Sequence, residues 1–365
     1  MTEGLLPTDE PIQLIDPAGS RTVTTTFDLP DRETLTALYR AMVSGRRFDA
    51  QVTALTRQGR LAVYPSSRGQ EACQTGTALA LRPQDWLFPT YRDSVAVVTR
   101  GIDPMDVLVS FRGDWHCGYD PRQHRTAPQC TPLATNTLHA VGLAHAARLK
   151  NEDTVAVVLL GDGATSEGDT HEALNFAAVW KAPVVFVVQN NGYAISVPLH
   201  RQTAAPSLAH KGIGYGIRSF RVDGNDAAAV YATVSAAVSA AAAGAGPVLI
   251  EAVTYRMEAH TNADDATRYR QDDEVAHWLE RDPLRRLATF LGLKGSEFDD
   301  EAELLAADVR TRAGTDASPS PESLFEHVYA ERPVMLERQM VDALDLPAGG
   351  RSGVEGLEED GRGTR

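Results

Sequence analysis

Two polar motifs each follow a run of apolar residues, and one helical segment separates them. Asp162, flanked by glycines, follows the run Val155–Leu160, and Asn190 and Asn191 follow the run Val184–Val188. Carboxylate and carboxamide oxygens are hard ligands, which suit Mg²⁺ better than zinc. The flanking glycines allow the backbone to approach a phosphate closely, and the start of a helix favours negative charge. Together the two motifs predict a site for Mg²⁺ and a diphosphate.

The apolar runs and the segment between them predict a βαβ unit. Both runs are rich in β-branched residues and lack polar alternation, which is typical of strands buried on both faces of a parallel sheet. Asp169, with Glu172 three residues later, has the pattern of a capping box, and Pro183 follows where that helix must end. Because ligands bind at the carboxyl ends of parallel strands, we expect Asp162 and the two asparagines to lie at one edge of the sheet.

Further segments extend this unit into a parallel α/β domain, which we expect to span residues 31–281. Before it, the proline-punctuated residues 1–30 predict an irregular N-terminal arm. After it, we expect a C-terminal helical region over 282–345 and a disordered tail, rich in Gly and charge, over 346–365. Further helices are predicted over 31–58, 70–80, 137–150, 206–215 and 227–243, and further strands over 86–88, 219–222 and 248–255.

Composition excludes several classes of protein. A chain of 365 residues with 43% hydrophobic content can bury one large α/β core. The net charge of -14, without a basic stripe, argues against a nucleic-acid binder. With no apolar N-terminal signal and no membrane-length apolar run, we expect a cytoplasmic protein that does not bind membranes. Cys73, Cys117 and Cys130 are widely spaced and suit reduced thiols.

The two motifs and their spacing resemble the thiamin-diphosphate motif of the 2-oxo acid dehydrogenases. The resemblance is to the alpha subunit of their first, decarboxylating component, and it extends over roughly residues 46–330. Other matching stretches are GRLAVYPSSRGQEA, DWLFPTYRDSV, TPLATNTLHAVG and YRMEAHTNADDATRYR. The resemblance implies a three-layer thiamin-diphosphate-binding fold, in which helices cover both faces of a parallel sheet, with an N-terminal arm and C-terminal helices.

The resemblance also implies which residues bind the cofactors. Mg²⁺ would be held by Asp162, Asn191 and the backbone carbonyl of Tyr193. Thr135 and Asn136 would help bind a structural monovalent cation such as K⁺. The planar fork of an arginine suits two phosphate oxygens at once. The residues expected to contact thiamin diphosphate are Tyr91, Arg92, Thr131, Leu133, Asp162, Gly163, Ala164, Asn191, Tyr193 and His260.

Two histidines are candidates for catalysis on the same basis. His260 matches the histidine of the loop at the reactive carbon of the cofactor, where it could stabilise charge or move a proton near neutral pH. His116, in the stretch FRGDWHCG, matches a histidine that some relatives carry in a corresponding loop. A lone histidine is more often structural, so the surrounding match is what makes each residue a candidate.

The activity that the resemblance implies is oxidative decarboxylation of a 2-oxo acid with reductive acylation of the lipoyl group of an acyltransferase component. Single-chain thiamin enzymes carry two α/β domains, and this chain has room for one. The resemblance implies that the carboxylate that activates the cofactor comes from a beta subunit, in an assembly of two alpha and two beta chains. Alone, the chain should be inactive.

The sequence leaves alternatives open for the substrate and for the class of protein. The segment ADDATRYR after His260 favours branched-chain 2-oxo acids such as 3-methyl-2-oxobutanoate, and pyruvate is the alternative. A nicotinamide-binding Rossmann domain is a remote alternative, because Ser166 stands where a third Gly or Ala is expected and the acidic ribose-binding residue is missing. The other remote alternative is a subunit that binds the cofactor without turnover.

Overall fold

The computed structural model describes residues 5–23, 26–314 and 320–345, which leaves the predicted disordered tail outside the described residues. They belong to two compact units, Met1–Thr315 and Asp316–Arg365. The helices of the first unit are α1 (Arg32–Arg57), α2 (Glu71–Ala80), α3 (Ser94–Thr99), α4 (Pro104–Arg112), α5 (Pro121–His124), α6 (Thr135–Leu149), α7 (Gly168–Trp180), α8 (Ala227–Ala242), α9 (Asp272–Leu279), α10 (Pro283–Leu291) and α11 (Asp299–Arg312). The strands are β1 (Trp86–Phe88), β2 (Ala156–Gly161), β3 (Val184–Asn190), β4 (Tyr193–Ala194), β5 (Val197–Pro198), β6 (Arg218–Asp223) and β7 (Val248–Val253). The second unit contains α12 (Ser323–Glu326) and α13 (Val334–Leu344).

Five strands form one parallel sheet in the order β1-β2-β3-β7-β6, while β4 and β5 form a separate short hairpin. In the β2–β3 pair, Ala156 lies opposite Val184 and Gly161 lies opposite Gln189. Asp162 and Asn190 therefore leave neighbouring strands at the same edge of the sheet. The predicted α/β class, with helices on both faces of a parallel sheet, is confirmed.

The two faces of the sheet form separate hydrophobic cores, which explains the uninterrupted apolar runs. Val157 and Leu159 pack with side chains of α2 and α8, whereas Val158 and Leu160 pack with side chains of α6 and α7. Each of these β2 residues is at most 1% exposed. Since successive side chains of a strand point to opposite faces, neither face of β2 can tolerate polar residues.

Several predicted helix boundaries are correct, and one predicted cap is wrong. Asp282, the first residue of the predicted C-terminal helical region, caps α10 by accepting the amide N–H groups of Leu284 and Arg285. Asp169, in contrast, lies inside the first turn of α7, because a 3₁₀ helix (Gly163–Ser166) leads the chain directly into that helix. The segment 206–215 is a 3₁₀ helix, Leu208–Tyr215, and α3, α4 and α9 lack a predicted counterpart. Within the described residues, no helix has the length and apolarity that crossing a membrane requires.

The N-terminal arm is anchored to the sheet through buried charges. Ile12 forms a parallel bridge beside β6, and the backbone N–H of Ile15 donates to Asp226 at 2.8 Å. Arg286 of α10, 1% exposed at its side chain, pairs with Asp223 at 2.9 Å and donates from Nε to the carbonyl oxygen of Ile15 at 2.9 Å. One buried guanidinium therefore connects the arm, β6 and α10.

Replacing this guanidinium tests the anchor. Arg286→Ala leaves the carboxylates of Asp223 and Asp226 buried without their cation, and we expect the free energy of unfolding to fall by about 3–5 kcal/mol. Chemical unfolding measures the loss. As a control, Arg40→Ala removes a half-exposed ion pair with Glu301 and should leave the free energy of unfolding nearly unchanged, because water screens that pair. Equal losses in the two variants would contradict the role of Arg286.

Candidate functional site

A cavity of about 230 Å³ lies at the carboxyl ends of β2 and β3. Ten of the sequence-predicted site residues line it, and they come from five separate segments of the chain. These residues are Tyr91, Arg92, Leu133, Asn136, Asp162, Gly163, Ala164, Asn191, Tyr193 and His260. The structure therefore brings together nearly the whole predicted set at the edge of the sheet where the two strand ends meet.

Asp162 provides a buried carboxylate at the floor of the cavity. The residue is 1% exposed, and its Oδ2 accepts a hydrogen bond from Gln202 at 2.7 Å, which leaves Oδ1 for another ligand. Burial raises the pKa of Asp162, while the hydrogen bond from Gln202 and the charge of Arg256 lower it. A bound cation would favour the ionised form.

The turn after Asp162 is shaped for close approach. A Cβ atom added at Gly163 would lie 2.8 Å from the Cβ of Ala194, so a side chain there would push the β4–β5 hairpin away. Gly163 and Ala164 begin the 3₁₀ helix, so their amide N–H groups have no acceptor within that helix. These N–H groups are suited to donate hydrogen bonds to an anionic ligand.

The two asparagines at the end of β3 have different surroundings. Asn190 points away from the cavity and donates to Glu251 on β7 at 2.7 Å. Asn191 lines the cavity; its Nδ2 donates to Gln70 at 3.2 Å, and its Oδ1 accepts the N–H of Tyr193 at 3.2 Å. Only Asn191 can thus offer a carboxamide oxygen to a ligand beside Asp162.

Two buried arginines form a cationic wall of the cavity. Arg92 is 5% exposed and Arg256 is 1% exposed. Their guanidinium groups donate to neutral partners: carbonyl oxygens, the imidazole of His260 and the hydroxyl of Tyr269. Because burying unbalanced charge is costly, two such cations facing one cavity favour an anionic ligand.

Local hydrogen bonds hold Arg92 in this orientation. Its Nη1 donates to the carbonyl oxygen of Ser66 at 3.0 Å, and its own carbonyl oxygen accepts the hydroxyl of Ser67 at 2.7 Å. Buried Asp49 in turn accepts the hydroxyl of Ser66 at 2.6 Å and the backbone N–H of Ser67 at 2.7 Å. The arginine is therefore pre-positioned by the segment that precedes α2.

His260 lies between the two guanidinium groups. Its Nδ1 is 3.0 Å from Nη2 of Arg92 and 3.3 Å from Nη1 of Arg256, so Nδ1 must be an acceptor and the hydrogen lies on Nε2. Burial and the two arginine charges lower the pKa of His260 from 6.5 to about 4, although Asp264 raises it. The imidazole is therefore neutral at pH 7 and offers a hydrogen-bond donor from Nε2.

Three sequence-predicted residues, Thr131, Thr135 and His116, lie elsewhere, whereas Asn136 lines the cavity. Thr131 is exposed, and neither it nor His116 is among the described residues that line the cavity. His116 is exposed in the segment between α4 and α5, where its ring lies 4.8 Å from that of Trp115. Asn136 donates to the carbonyl oxygen of Leu159 at 2.8 Å, and Thr135 contacts Asp169 at 3.5 Å.

Sequence reasoning missed several residues that line the cavity, among them Arg256, Gln189 and Gln70. Arg256 is four residues before His260 in a stretch already singled out, so its position was detectable as a charge next to a candidate histidine. Gln189 directly precedes the asparagines and could have been found from its place at the end of a buried strand. Gln70 carries no local signal, because its contact with Asn191 joins residues 121 positions apart.

A parallel α/β domain with a carboxylate, a carboxamide and a cationic wall at its strand ends defines a cofactor-binding enzyme subunit. Residues 39–322 match the family model described as dehydrogenase E1 component, and the chain belongs to that family. It is 50% identical, over 90% of this chain and 92% of the relative, to 3-methyl-2-oxobutanoate dehydrogenase subunit alpha of Mycobacterium tuberculosis. It is 38% identical, over 90% and 91%, to pyruvate dehydrogenase E1 component subunit alpha of Staphylococcus aureus. The predicted family is confirmed, and the nicotinamide alternative is excluded.

The lowered pKa of His260 predicts how stability depends on pH. Between about pH 4 and pH 6.5 the unfolded chain binds more protons at this residue than the folded chain, so folding stability should fall as the pH is lowered. His260→Gln removes this titration, and its loss of stability over that interval should be smaller than that of the wild type. Thermal unfolding across the interval measures the difference, with His116→Gln as a control for loss of an imidazole. Parallel curves for wild type and His260→Gln would contradict the assignment.

Proposed function

We propose that this chain is the alpha subunit of a branched-chain 2-oxo acid dehydrogenase, with pyruvate as the alternative substrate. The observation that carries the proposal is the cavity in which Asp162 and Asn191, from neighbouring strand ends, face the buried cations Arg92 and Arg256. The higher identity to the relative named for 3-methyl-2-oxobutanoate, 50% against 38%, favours branched-chain substrates.

The donor set fits Mg²⁺ and thiamin diphosphate. We assign Asp162, Asn191 and the carbonyl oxygen of Tyr193 to the metal, since Mg²⁺ takes one or two carboxylates and completes its shell with water and phosphate oxygens. Among the described residues no group of three or more His, Cys, Asp or Glu side chains could hold a metal ion, so a metal here would depend on a ligand's oxygens. Arg92, Arg256 and the amides of Gly163 and Ala164 would contact the diphosphate.

The side chains of the cavity have distinct roles in the proposed reaction. Bound thiamin diphosphate supplies the carbanion stabilisation that decarboxylation of a 2-oxo acid requires. His260, neutral and protonated on Nε2, would donate a hydrogen bond to substrate at the reacting end. Tyr91 and Leu133 would contact the cofactor through their apolar surfaces, and Thr131 would contact it from its exposed loop. His116 would have to approach the cavity by movement of its loop.

The proposed partners follow from the same assignment. We infer that a beta subunit supplies the carboxylate that activates the cofactor, in an assembly of two alpha and two beta chains. We further propose a cytoplasmic complex in which a lipoyl-bearing acyltransferase component receives the acyl group. A structural K⁺ near Thr135 and Asn136 is part of the proposal.

Removing one charge tests the metal assignment. Asp162→Asn keeps the size of the side chain but lacks the carboxylate, so Mg²⁺-dependent binding of thiamin diphosphate should weaken roughly 100-fold or more. Calorimetric titration of the assembled component with thiamin diphosphate, with and without Mg²⁺, measures this loss. Asp153→Asn, which changes an exposed carboxylate that does not line the cavity, is the matched control and should bind as the wild type does. Undiminished affinity in Asp162→Asn would refute the site.

A substrate comparison tests the function itself. The chain, copurified with its beta subunit, is supplied with Mg²⁺, thiamin diphosphate and an artificial electron acceptor, and decarboxylation of several 2-oxo acids is measured. We expect faster turnover of 3-methyl-2-oxobutanoate than of pyruvate. The reverse ranking would establish the pyruvate alternative. Tight cofactor binding without turnover of any acid would identify a non-catalytic subunit.

A further inference from the structure

A buried series of side-chain hydrogen bonds connects Asn191 to Asp93, the residue that follows Arg92 of the cationic wall. Nδ2 of Asn191 donates to Oε1 of Gln70 at 3.2 Å, Nε2 of Gln70 donates to Oε1 of Gln189 at 3.0 Å, and Nε2 of Gln189 donates to Oδ1 of Asp93 at 2.6 Å. All four residues are at most 6% exposed. We call this chain of three amides and one carboxylate the amide relay.

The direction of the amide relay is determined by its carboxylate end. An ionised carboxyl group only accepts hydrogen bonds, so Gln189 must turn its nitrogen to Asp93 and its oxygen to Gln70. Gln70 must then present its nitrogen to Gln189 and its oxygen to Asn191. Asn191, finally, must direct its nitrogen into the relay. Its oxygen is left as the atom that the carboxamide can offer to a cation.

Asp93 is held as an acceptor by more than the relay. Its Oδ2 accepts both the backbone N–H and the hydroxyl of Thr90, each at 2.7 Å. Burial raises the pKa of Asp93 above its ordinary value, and the hydrogen bonds from Gln189 and Thr90 offset part of that rise. Three donors to one carboxylate leave no room for a reversed relay, because a reversed Gln189 would place its oxygen against an acceptor.

We propose that Asp93 is a positioning residue that sets the orientation of the Asn191 carboxamide, acting through Gln189 and Gln70. The proposal rests on the cation site assigned above to Asp162 and Asn191. It explains why three neutral amides, and not charged side chains, connect Asp93 to the cation site. Each amide fixes the orientation of the next through its hydrogen bond, and none adds a charge that would compete with the cation. The consequence is that the charge at position 93 controls cation affinity without contacting the cation.

Moving the negative charge from position 93 to position 70 tests the relay. In Asp93→Asn, the side-chain oxygen of the asparagine can still accept from Thr90, but its side-chain nitrogen then faces the nitrogen of Gln189. Whichever amides reverse in response, one contact along the path from position 93 to the N–H of Tyr193 must pair two donors or two acceptors. In Gln70→Glu, the carboxylate still accepts from Asn191 but faces the oxygen of Gln189. We expect each single variant to bind Mg²⁺, in the presence of thiamin diphosphate, roughly tenfold or more weakly.

The double variant should recover the affinity. With Glu at position 70 and Asn at position 93, Gln189 reverses, donates to the glutamate and accepts from the asparagine, while Asn191 keeps its orientation. Calorimetric titration of the assembled component with Mg²⁺ at saturating thiamin diphosphate gives the affinities, and thermal unfolding shows whether each variant is folded. Mg²⁺ affinity within a few-fold of wild type in the double variant is the expected result.

Three outcomes would overturn the relay, and a fourth concerns the site itself. Wild-type affinity in Asp93→Asn, or a double variant whose losses are the sum of the single losses, would refute the positioning role. A Gln70→Glu variant that binds Mg²⁺ more tightly than wild type would show that added charge, not orientation, decides affinity. If the wild-type component itself shows no Mg²⁺-dependent binding, the proposed function fails before the relay is tested.

Discussion

The register of β2 on β3 is the constraint on which the site depends. Because Gly161 lies opposite Gln189, β2 and β3 end side by side, and Asp162 comes to lie beside the asparagines. A shift of one residue would turn every side chain of β3 to the opposite face and exchange its two hydrophobic environments. Burial on both faces therefore fixes the register, and the register fixes which polar residues meet.

The side chains around this edge of the sheet include anionic, cationic and neutral groups, and their charges do not cancel once a metal ion is bound. Among the described residues that line the cavity, Asp162 is a buried carboxylate and Glu167 an exposed one, Arg92 and Arg256 are buried cations, and the groups between them are neutral amides and a neutral imidazole. A negatively charged ligand would balance the charge of such a site together with a bound metal ion. The oxygens of that ligand would also fill the remaining coordination positions of the metal. The same arrangement explains why the carboxylate and the arginines come from different segments: each is positioned by its own buried partners before a ligand arrives.

Much of this could be predicted from sequence where the signal is local. The apolar runs, the Asp282 cap and the residues of the Asp162 turn are determined by near neighbours. Asp169 was misassigned because the 3₁₀ helix before α7 takes the place of a capping box. The arm and the relay could not be predicted, because Arg286 with Ile15 and Gln70 with Asn191 are contacts between distant parts of the chain. No local pattern marks such pairs.

The most direct test is a crystal structure of the chain assembled with its beta subunit and grown with Mn²⁺ and thiamin diphosphate. Anomalous diffraction locates Mn²⁺ without reference to the surrounding atoms. We predict one peak about 2 Å from a carboxylate oxygen of Asp162 and from Oδ1 of Asn191, with the diphosphate against Arg92 and Arg256. A peak away from Asp162, or a carboxamide of Asn191 with its nitrogen toward the metal, would contradict the account.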